Sequence, residues 1–419
     1  MSVVSIICFV LFFLILLLAR KKDFFSPAKV FTLVWFLAIG LTDLKLSRLQ
    51  ITWSGLAWFS LLLAVFSFLL GVYIVYVLFF NKNILKINDV RLIFTKSEIN
   101  ENLLYIIIIT LFIFYSISYI ITYLIRGFVP IFTRMPEIAR TKWGIFGIGS
   151  FVYTIPAILY LSLIHVFISK TNIMRKFIIF SIMLISFITY VFLLNRFYLL
   201  LPIALFVILL YYKTNRLRPR NILIVLIIFS IIFFEISNLR LSRYAINILY
   251  YLSEMKFGKE YAILTEPYMY ISMNLENFAN AIGKLDFHTY GYFVFDFLLK
   301  PIGLKDLISE YVHIEEFPHI INRAYNTYTM FFIYYRDFGF VGLFVIPLLF
   351  GALVSYIYYK MRLNPTIYNI SFYGMLIFVV AFSFFVPILH WIHYVFNLIL
   401  IYITTYFITN KKFIIKGDN

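Results

Sequence analysis

Apolar runs recur along almost the whole chain, each near the roughly 20 residues that a helix needs to cross a bilayer, and they constrain the fold more than any other feature. They fall near residues 2–19, 25–42, 53–80, 102–125, 144–169, 176–194, 197–212, 220–236, 338–359, 368–388 and 392–409. About eleven such runs read as an all-α, polytopic membrane protein, because a helix satisfies its own backbone inside lipid. The composition agrees: 63% of the residues are hydrophobic and 13% charged, too little polar surface to wet a soluble globule. One stretch breaks the pattern. Between Ser237 and Tyr328 the chain is of mixed polarity, and connections longer than about 15 residues are usually functional rather than mere connectors.

The first run, Ser2 to Leu18, has no basic leader and no Ala-x-Ala-like cleavage site, so it reads as a retained first helix rather than a signal peptide. Cys8, the single cysteine, lies inside that run, which excludes an internal disulfide and a cysteine-based metal site. The net charge of +17 does not point to nucleic acid, because most of the excess sits in short loops. Arg20, Lys21 and Lys22 open the series, followed by Lys82, Lys86, Arg91 and Lys96, then Lys170, Arg175 and Lys176. It continues with Lys213, Arg216, Arg218 and Arg220, then Lys360 and Arg362, and ends at Lys411, Lys412 and Lys416. These six alternate loops belong on the cytoplasmic side by the bias of Lys and Arg. The expected C-terminus is therefore cytoplasmic and the N-terminus outside.

That orientation puts residues 237–337 outside, as one large helical loop or cap within a single membrane domain, 1–419; no linker-like cluster of Pro, Gly or Ser divides the chain. The acids of the loop roughly balance its bases. Pro267 suits a first helical position. After it, Ile271, Leu275, Phe278, Ala279 and Ile282 recur at helical spacing opposite Asn274, Glu276, Asn277 and Asn280, which predicts an amphipathic helix suited to the membrane surface. A second apolar patch, residues 290–299, is too short to span and reads as interfacial or re-entrant.

Arginines gather on the outer side, against the usual bias. Arg134 and Arg140 lie in the Arg126–Trp143 loop, Arg196 at a tight turn after Asn195, Arg240 and Arg243 after the eighth run, and Arg323 late in the cap. An anionic ligand is one reason, since guanidinium forks match phosphate oxygens and each contact contributes about 1.5–3 kcal/mol. Pairing with the acids of the cap, or snorkelling to headgroups, is the other. Candidates for proton transfer are Glu254, Glu266, Asp286, His313, Glu315, Glu316, His319 and Asp337, and each has a solvated or purely structural alternative. His319 and Asp337 stand out for the arginine and polar aromatics around them in the 318–339 stretch. His390 and His393 lie at the outer turn between the last two runs, and His165 within a run. An intramembrane ionisable residue is a functional candidate by default, although a neutral histidine bonded to a neighbouring helix is the alternative for His165. The chain has no Gly-x-x-x-x-Gly-Lys-Ser/Thr loop, no His-Glu-x-x-His and no Asp-x-Asp, so nucleotide- and metal-binding signatures are missing.

Two stretches resemble a known family. Gly127-Phe-Val-Pro-Ile-Phe-Thr-Arg-Met-Pro-Glu-Ile-Ala-Arg140, followed by Gly144, Gly147 and Gly149, resembles the O-antigen polymerases, the Wzy-type enzymes that polymerise oligosaccharide repeat units. Tyr325-Asn-Thr-Tyr-Thr-Met-Phe-Phe-Ile-Tyr-Tyr-Arg-Asp-Phe-Gly339, then Gly342, is similar to the last external segment of that family where it enters a span. Asn195-Arg196 is similar to a turn where the family often has Gly/Ser-Arg; the Asn here departs from that pattern, and the family often has more spans.

The resemblance implies a glycosyltransferase-C-like, metal-independent enzyme of lipopolysaccharide or other polysaccharide biosynthesis, without cofactor, in the bacterial cytoplasmic (inner) membrane. Its substrate would be an undecaprenyl-pyrophosphate-linked oligosaccharide, joined to the next repeat with release of undecaprenyl pyrophosphate. Membrane lipids would surround it, and a chain-length regulator and a flippase are partners of such systems. The roles it implies are pyrophosphate binding for Arg134, Arg140, Arg196, Arg240, Arg243 and Arg323, where fixed cations stabilise the leaving group. A general base would be His319, with Asp337 or Glu266 behind it. Tyr325, Asn326, Tyr328, Tyr334 and Tyr335 would hold sugars, unless these aromatics serve as membrane anchors. An O-antigen ligase, a lipid-linked oligosaccharide flippase and a structural subunit of the polysaccharide machinery are the competing readings. A flippase would be expected to show repeated halves and charges buried in its spans.

Overall fold

The computed structural model describes residues 2–19, 23–80, 82–95, 99–145, 147–168, 170–195, 197–214, 243–311, 314–315 and 317–409. Among these the secondary structure is helical, apart from two isolated bridges, Ser47 with Met255 and Ile99 with Thr409. Helices cover the expected stretches from 2–19 to 197–212 and from 338–359 to 392–409. The expected span 220–236 lies outside the described residues, as do Arg196, Arg240, His313 and Glu316.

Among the described residues, five helical segments are long and apolar enough to cross a membrane by length and composition: Gly55–Leu78, Glu101–Phe132, Gly147–Ile168, Ile173–Val191 and Met330–Leu363. Four more are apolar but shorter, Val3–Leu17, Phe197–Lys213, Ile367–Phe382 and Ile392–Ile408. At about 1.5 Å per residue a 17-residue helix reaches only about 25 Å, less than the roughly 30 Å of hydrocarbon. Local chemistry sets several helix ends. Ser54 and Asn100 cap their helices by accepting from the Ala57 and Leu103 amides, satisfying donors that the first turn leaves open. Gly127 ends the Glu101–Arg126 helix in the left-handed region, φ 75°, with its N–H on the Tyr123 carbonyl, the usual glycine stop.

The chain forms two compact units interleaved in sequence. The first comprises Met1–Asn83, Arg243–Tyr359 and Leu376–Val395; the second comprises Ile84–Ser242, Lys360–Met375 and Phe396–Asn419.

In the first unit, aromatic packing joins distant helices: Phe31 stacks on Phe68 at 3.9 Å and Trp35 on Phe331 at 4.8 Å. The Trp35 indole N–H donates to Ser383 Oγ at 2.9 Å, giving a buried polar group its partner. Helices 55–78 and 330–363 cross on glycine. A Cβ at Gly71 would meet the Leu348 carbonyl and, at 2.8 Å, the Ala352 nitrogen, and one at Gly351 would meet the Phe68 carbonyl. Small residues at such a crossing let backbones touch, which is how apolar helices associate where lipid removes the hydrophobic drive.

In the second unit the polar links are of the same kind. Tyr160 and Ser371 share a hydrogen bond at 2.7 Å, and buried Asn397 donates to the Tyr153 carbonyl at 2.7 Å while accepting from the Ala157 amide at 3.3 Å. The short helix Ile87–Thr95, not expected from the sequence, is tied down by Arg91 Nε on the Tyr211 carbonyl at 3.1 Å.

Candidate functional site

Two groups of candidate residues emerge, one in each unit. In the first unit the organising element is the helix Thr265–Ala281. Its apolar face packs as expected, but its polar face does not meet water or headgroups: Asn274, Glu276 and Asn277 are buried. This corrects the surface-helix expectation. The physical reason is that each of these side chains has a protein partner, which offsets the cost of leaving water. Asn277 donates to the carbonyls of Tyr325 at 2.7 Å and Thr327 at 2.9 Å and accepts from the Ile321 amide at 3.0 Å. Asn274 accepts from the Thr327 hydroxyl, and Asn280 donates to the His319 carbonyl at 2.7 Å. The asparagine ladder therefore fixes the backbone of the 319–327 loop.

Glu276 does a different job. It is 0% exposed, pairs with Lys45, and accepts from Gln50 Nε2 at 3.0 Å, the Ile51 amide at 3.1 Å and Trp53 Nε1 at 3.0 Å. A charge so deep needs a full set of donors, and here it ties the cap helix to the 45–53 connection.

The loop held by the asparagines carries His319, Arg323, Tyr325, Asn326 and Tyr328. His319, Arg323 and Asn326 are exposed. His319 sits at φ 57°, a left-handed conformation that histidine tolerates better than branched residues do. The aromatic candidates are placed otherwise. Tyr325 belongs to a buried cluster with Met255, Tyr268, Met269 and Met273, and its hydroxyl bonds Ser253 Oγ at 2.9 Å. Burial pushes the Tyr325 phenol up to about 12, with Ser253 opposing it. Tyr328 stacks on Phe332 at 3.9 Å and donates to the Pro318 carbonyl. Tyr335 accepts from the Gly283 amide at 3.1 Å, and Tyr334 is buried. These rings pack inside the unit, whereas Asn326 is exposed. Glu266 is half-buried near the Tyr325 phenol, on which its charge acts.

Asp337 is wholly buried, and its carboxylate accepts from the Thr289 hydroxyl, the Phe293 amide at 3.1 Å and the Val294 amide at 2.7 Å. Arg336 beside it lies over the Phe293 ring at 3.8 Å. Two residues on, Gly339 leaves helical geometry at φ 60°, ψ −142° and breaks the Met330–Leu363 helix. A Cβ there would press on His288 Nε2 at 2.9 Å, so the position calls for glycine on both counts. Asp337 thus anchors the 289–294 turn against the break. Further along, His390 lies near Asp296, Lys305 and Lys300, and burial lowers its imidazole to about 4, with the Asp296 carboxylate opposing. Asp296 itself pairs with Lys305.

In the second unit, the Gly127–Arg140 stretch folds into a compact loop. Its Ile131 amide bonds the Phe192 carbonyl at 3.1 Å, and Trp143 Nε1 donates to the Phe128 carbonyl at 2.9 Å. Arg134 is exposed, whereas Arg140 is half-buried and donates from Nη1 to Asn195 Oδ1 at 3.3 Å. Two stretches singled out separately in the sequence, Arg140 and the Asn195 turn, are thereby joined. The charge of Arg140 also acts on the phenols of Tyr153 and Tyr190. Tyr153 meets Tyr198 edge to face at 5.8 Å. The Tyr190 hydroxyl is buried and has no hydrogen-bond partner among the described residues. Sequence reading missed Tyr190 because it sits at the end of an apolar run, with nothing in its spacing to mark it. His165 is buried in the Ile155–Ile168 helix beside the Tyr105 ring at 5.9 Å, whereas Arg243 belongs to the first unit, where it opens the helix Arg243–Leu252.

Compared with models of protein families, with curated proteins and with solved structures, the chain matches none.

Proposed function

We propose that the protein is a membrane glycosyltransferase that polymerises undecaprenyl-pyrophosphate-linked oligosaccharide repeat units at the outer face of a bacterial cytoplasmic membrane. The observation that carries this reading is the group around Arg140: a half-buried guanidinium held by Asn195, in the same unit as Tyr190, whose buried hydroxyl has no hydrogen-bond partner among the described residues. Buried polar groups are normally satisfied, and an exception calls for a reason. A phosphate oxygen provides one, since it accepts from a guanidinium and a phenol alike. In this reading Arg140, with Arg134, Arg196 and Arg240 of the same unit, binds the pyrophosphate and stabilises the charge it gains as the glycosidic bond breaks.

The acceptor hydroxyl must lose its proton as the sugar acquires oxocarbenium character. His319 suits this role better than Asp337, because its imidazole is exposed on a loop whose backbone is fixed, while the Asp337 carboxylate is engaged by three donors. Glu266 remains behind it, half-buried. Asn326, exposed on the same loop, is assigned to the acceptor sugar. The reading keeps the chain free of metal and nucleotide, and takes its substrate from the lipid.

Two variants test the assignments. Tyr190→Phe removes an unsatisfied hydroxyl, so thermal stability is expected to hold or rise slightly, while turnover of the lipid-linked repeat falls by about tenfold, the value of one hydrogen bond to a charged group. Unchanged turnover would remove Tyr190 from the site. His319→Ala is expected to lower the polymerisation rate by about 10²–10⁴, the range for general base catalysis, measured as sugar incorporated per minute in vesicles. A rate equal to that of the unaltered protein from pH 6 to 9 would assign the base elsewhere.

A further inference from the structure

The segment that follows His288 presents large apolar side chains to the outside. Tyr290 is 82% exposed and Ile302 67%, with Phe295, Leu298, Leu304 and Leu307 also exposed. They alternate with residues that face inward: Phe293 and Asp296 are buried, and Lys305 folds back on Asp296 while lying over the Tyr292 ring at 4.7 Å. The segment is therefore two-sided, with its polar contacts directed into the unit and its apolar residues away from it. A soluble surface rarely leaves so many neighbouring apolar residues uncovered.

Its attachment shows what covers it. The Thr289 and Tyr290 amides bond the Arg336 and Asp337 carbonyls at 3.1 Å each, and the 293–294 amides hold the Asp337 carboxylate. Asp337 lies just before the Gly339 break. Directly after the break, the spanning helix exposes Phe340, Val341, Phe344 and Val345, the apolar face that a membrane helix turns to lipid. The exposed side chains of 290–308 thus begin where the lipid-facing stripe of that helix begins, on backbone tied to it by hydrogen bonds. The helix Leu304–Tyr311 is too short to span, at about 12 Å of rise, and suits a position in the plane of the interface. Exposed Lys300, between Leu298 and Ile302, is of the length that snorkels to headgroups.

We infer that residues 290–308 lie in the bilayer interface as an immersed ledge continuous with the lipid-facing surface of the 340–363 helix, and that lipid acyl chains cover its apolar side. The placement does not depend on the reaction proposed above. Of the two alternatives raised for residues 290–299, interfacial or re-entrant, it selects the interfacial one.

The single cysteine makes the test direct. In a Cys8→Ser background of the full chain, Leu298→Cys, Ile302→Cys or Leu307→Cys carries one nitroxide label in phosphatidylethanolamine–phosphatidylglycerol vesicles. Val341→Cys reports insertion of the spanning helix, and Ala324→Cys, in the exposed 322–326 loop, reports the aqueous side. All the ledge labels are at exposed positions, so folding is undisturbed. The ratio of collisions with oxygen to collisions with a water-soluble nickel chelate is expected to be several-fold higher at 298, 302 and 307 than at 324, and to approach that at 341. Ratios at the ledge equal to that at 324, with 341 still in lipid, would overturn the inference. So would labels reached by neither reagent and broadened by dipolar coupling, which would mean that a second copy of the chain covers the ledge.

Discussion

Glu276→Ala is expected to lower stability by about 3–5 kcal/mol, the cost of breaking a buried ion pair and leaving its partners uncompensated. The carboxylate is fully buried and meets Lys45, Gln50, the Ile51 amide and Trp53. Its removal leaves the Ile51 amide and the Trp53 indole N–H without this acceptor, while Gln50 Nε2 keeps the Thr42 carbonyl at 2.8 Å. Because Lys45 is 30% exposed, its ammonium can turn to solvent, so the larger part of the loss comes from the buried donors. Glu276→Gln keeps an acceptor oxygen in place and is expected to lose about 1.5–3 kcal/mol, the value of a charge-assisted bond. Thermal unfolding in detergent, followed through the tryptophan signal, checks both, since Trp53 donates to Glu276 and meets Trp58, tilted by 43°, at 4.6 Å between ring centroids. An Ala variant that melts with the unaltered protein would show that Glu276 does not tie the cap helix to the 45–53 connection.

Arg140→Ala is expected to abolish chain elongation while the protein inserts and melts normally. One lost donor to a developing oxyanion costs about 10²–10³ in rate, and Arg140 also fixes Asn195. Arg140→Lys is a stricter trial. It keeps the charge but not the rigid planar fork that presents separate donors to Asn195 and to a phosphate, so most of the loss is expected to remain. Arg240→Ala carries the same expectation from the sequence alone. Length distributions of the glycan made in cells, read beside the amount of each variant in the membrane, separate a lost site from a lost protein. Full-length polymer from the double Ala variant would end the pyrophosphate assignment.

The contrast between these two residues explains what was legible in the sequence. Helix positions followed from apolar runs, whose length is a local signal; the Asn100 cap and the Gly127 stop that set the ends of one of these helices were seen only in the structure. The cap helix was legible too, through Pro267 and the spacing of Leu275, Phe278 and Ala279. What Glu276, Asn274 and Asn277 face was not. A polar stripe looks the same whether it meets water or protein, and only the return of the chain at 319–327, for the asparagines, and the 45–53 connection, for Glu276, decides. The same applies to the tyrosines: Tyr325, Tyr328 and Tyr335 have the composition of a sugar platform, but packing against Met269, Phe332 and Gly283 takes them inside. Arg140 and Asn195, in contrast, were singled out apart and meet in space. Tyr190 and the helix Ile87–Thr95 left no periodic or compositional mark, and the two interleaved units are joined by no linker that a composition shift would reveal.

One reconstitution tests polymerisation directly. Purified protein in liposomes receives its undecaprenyl-pyrophosphate-linked repeat unit, with neither metal nor nucleotide, and the products are resolved on a gel. A ladder of longer lipid-linked glycans, lost with Arg140→Ala, is the predicted result. Unextended substrate, moved intact from one leaflet to the other, would contradict the account and identify a transporter instead.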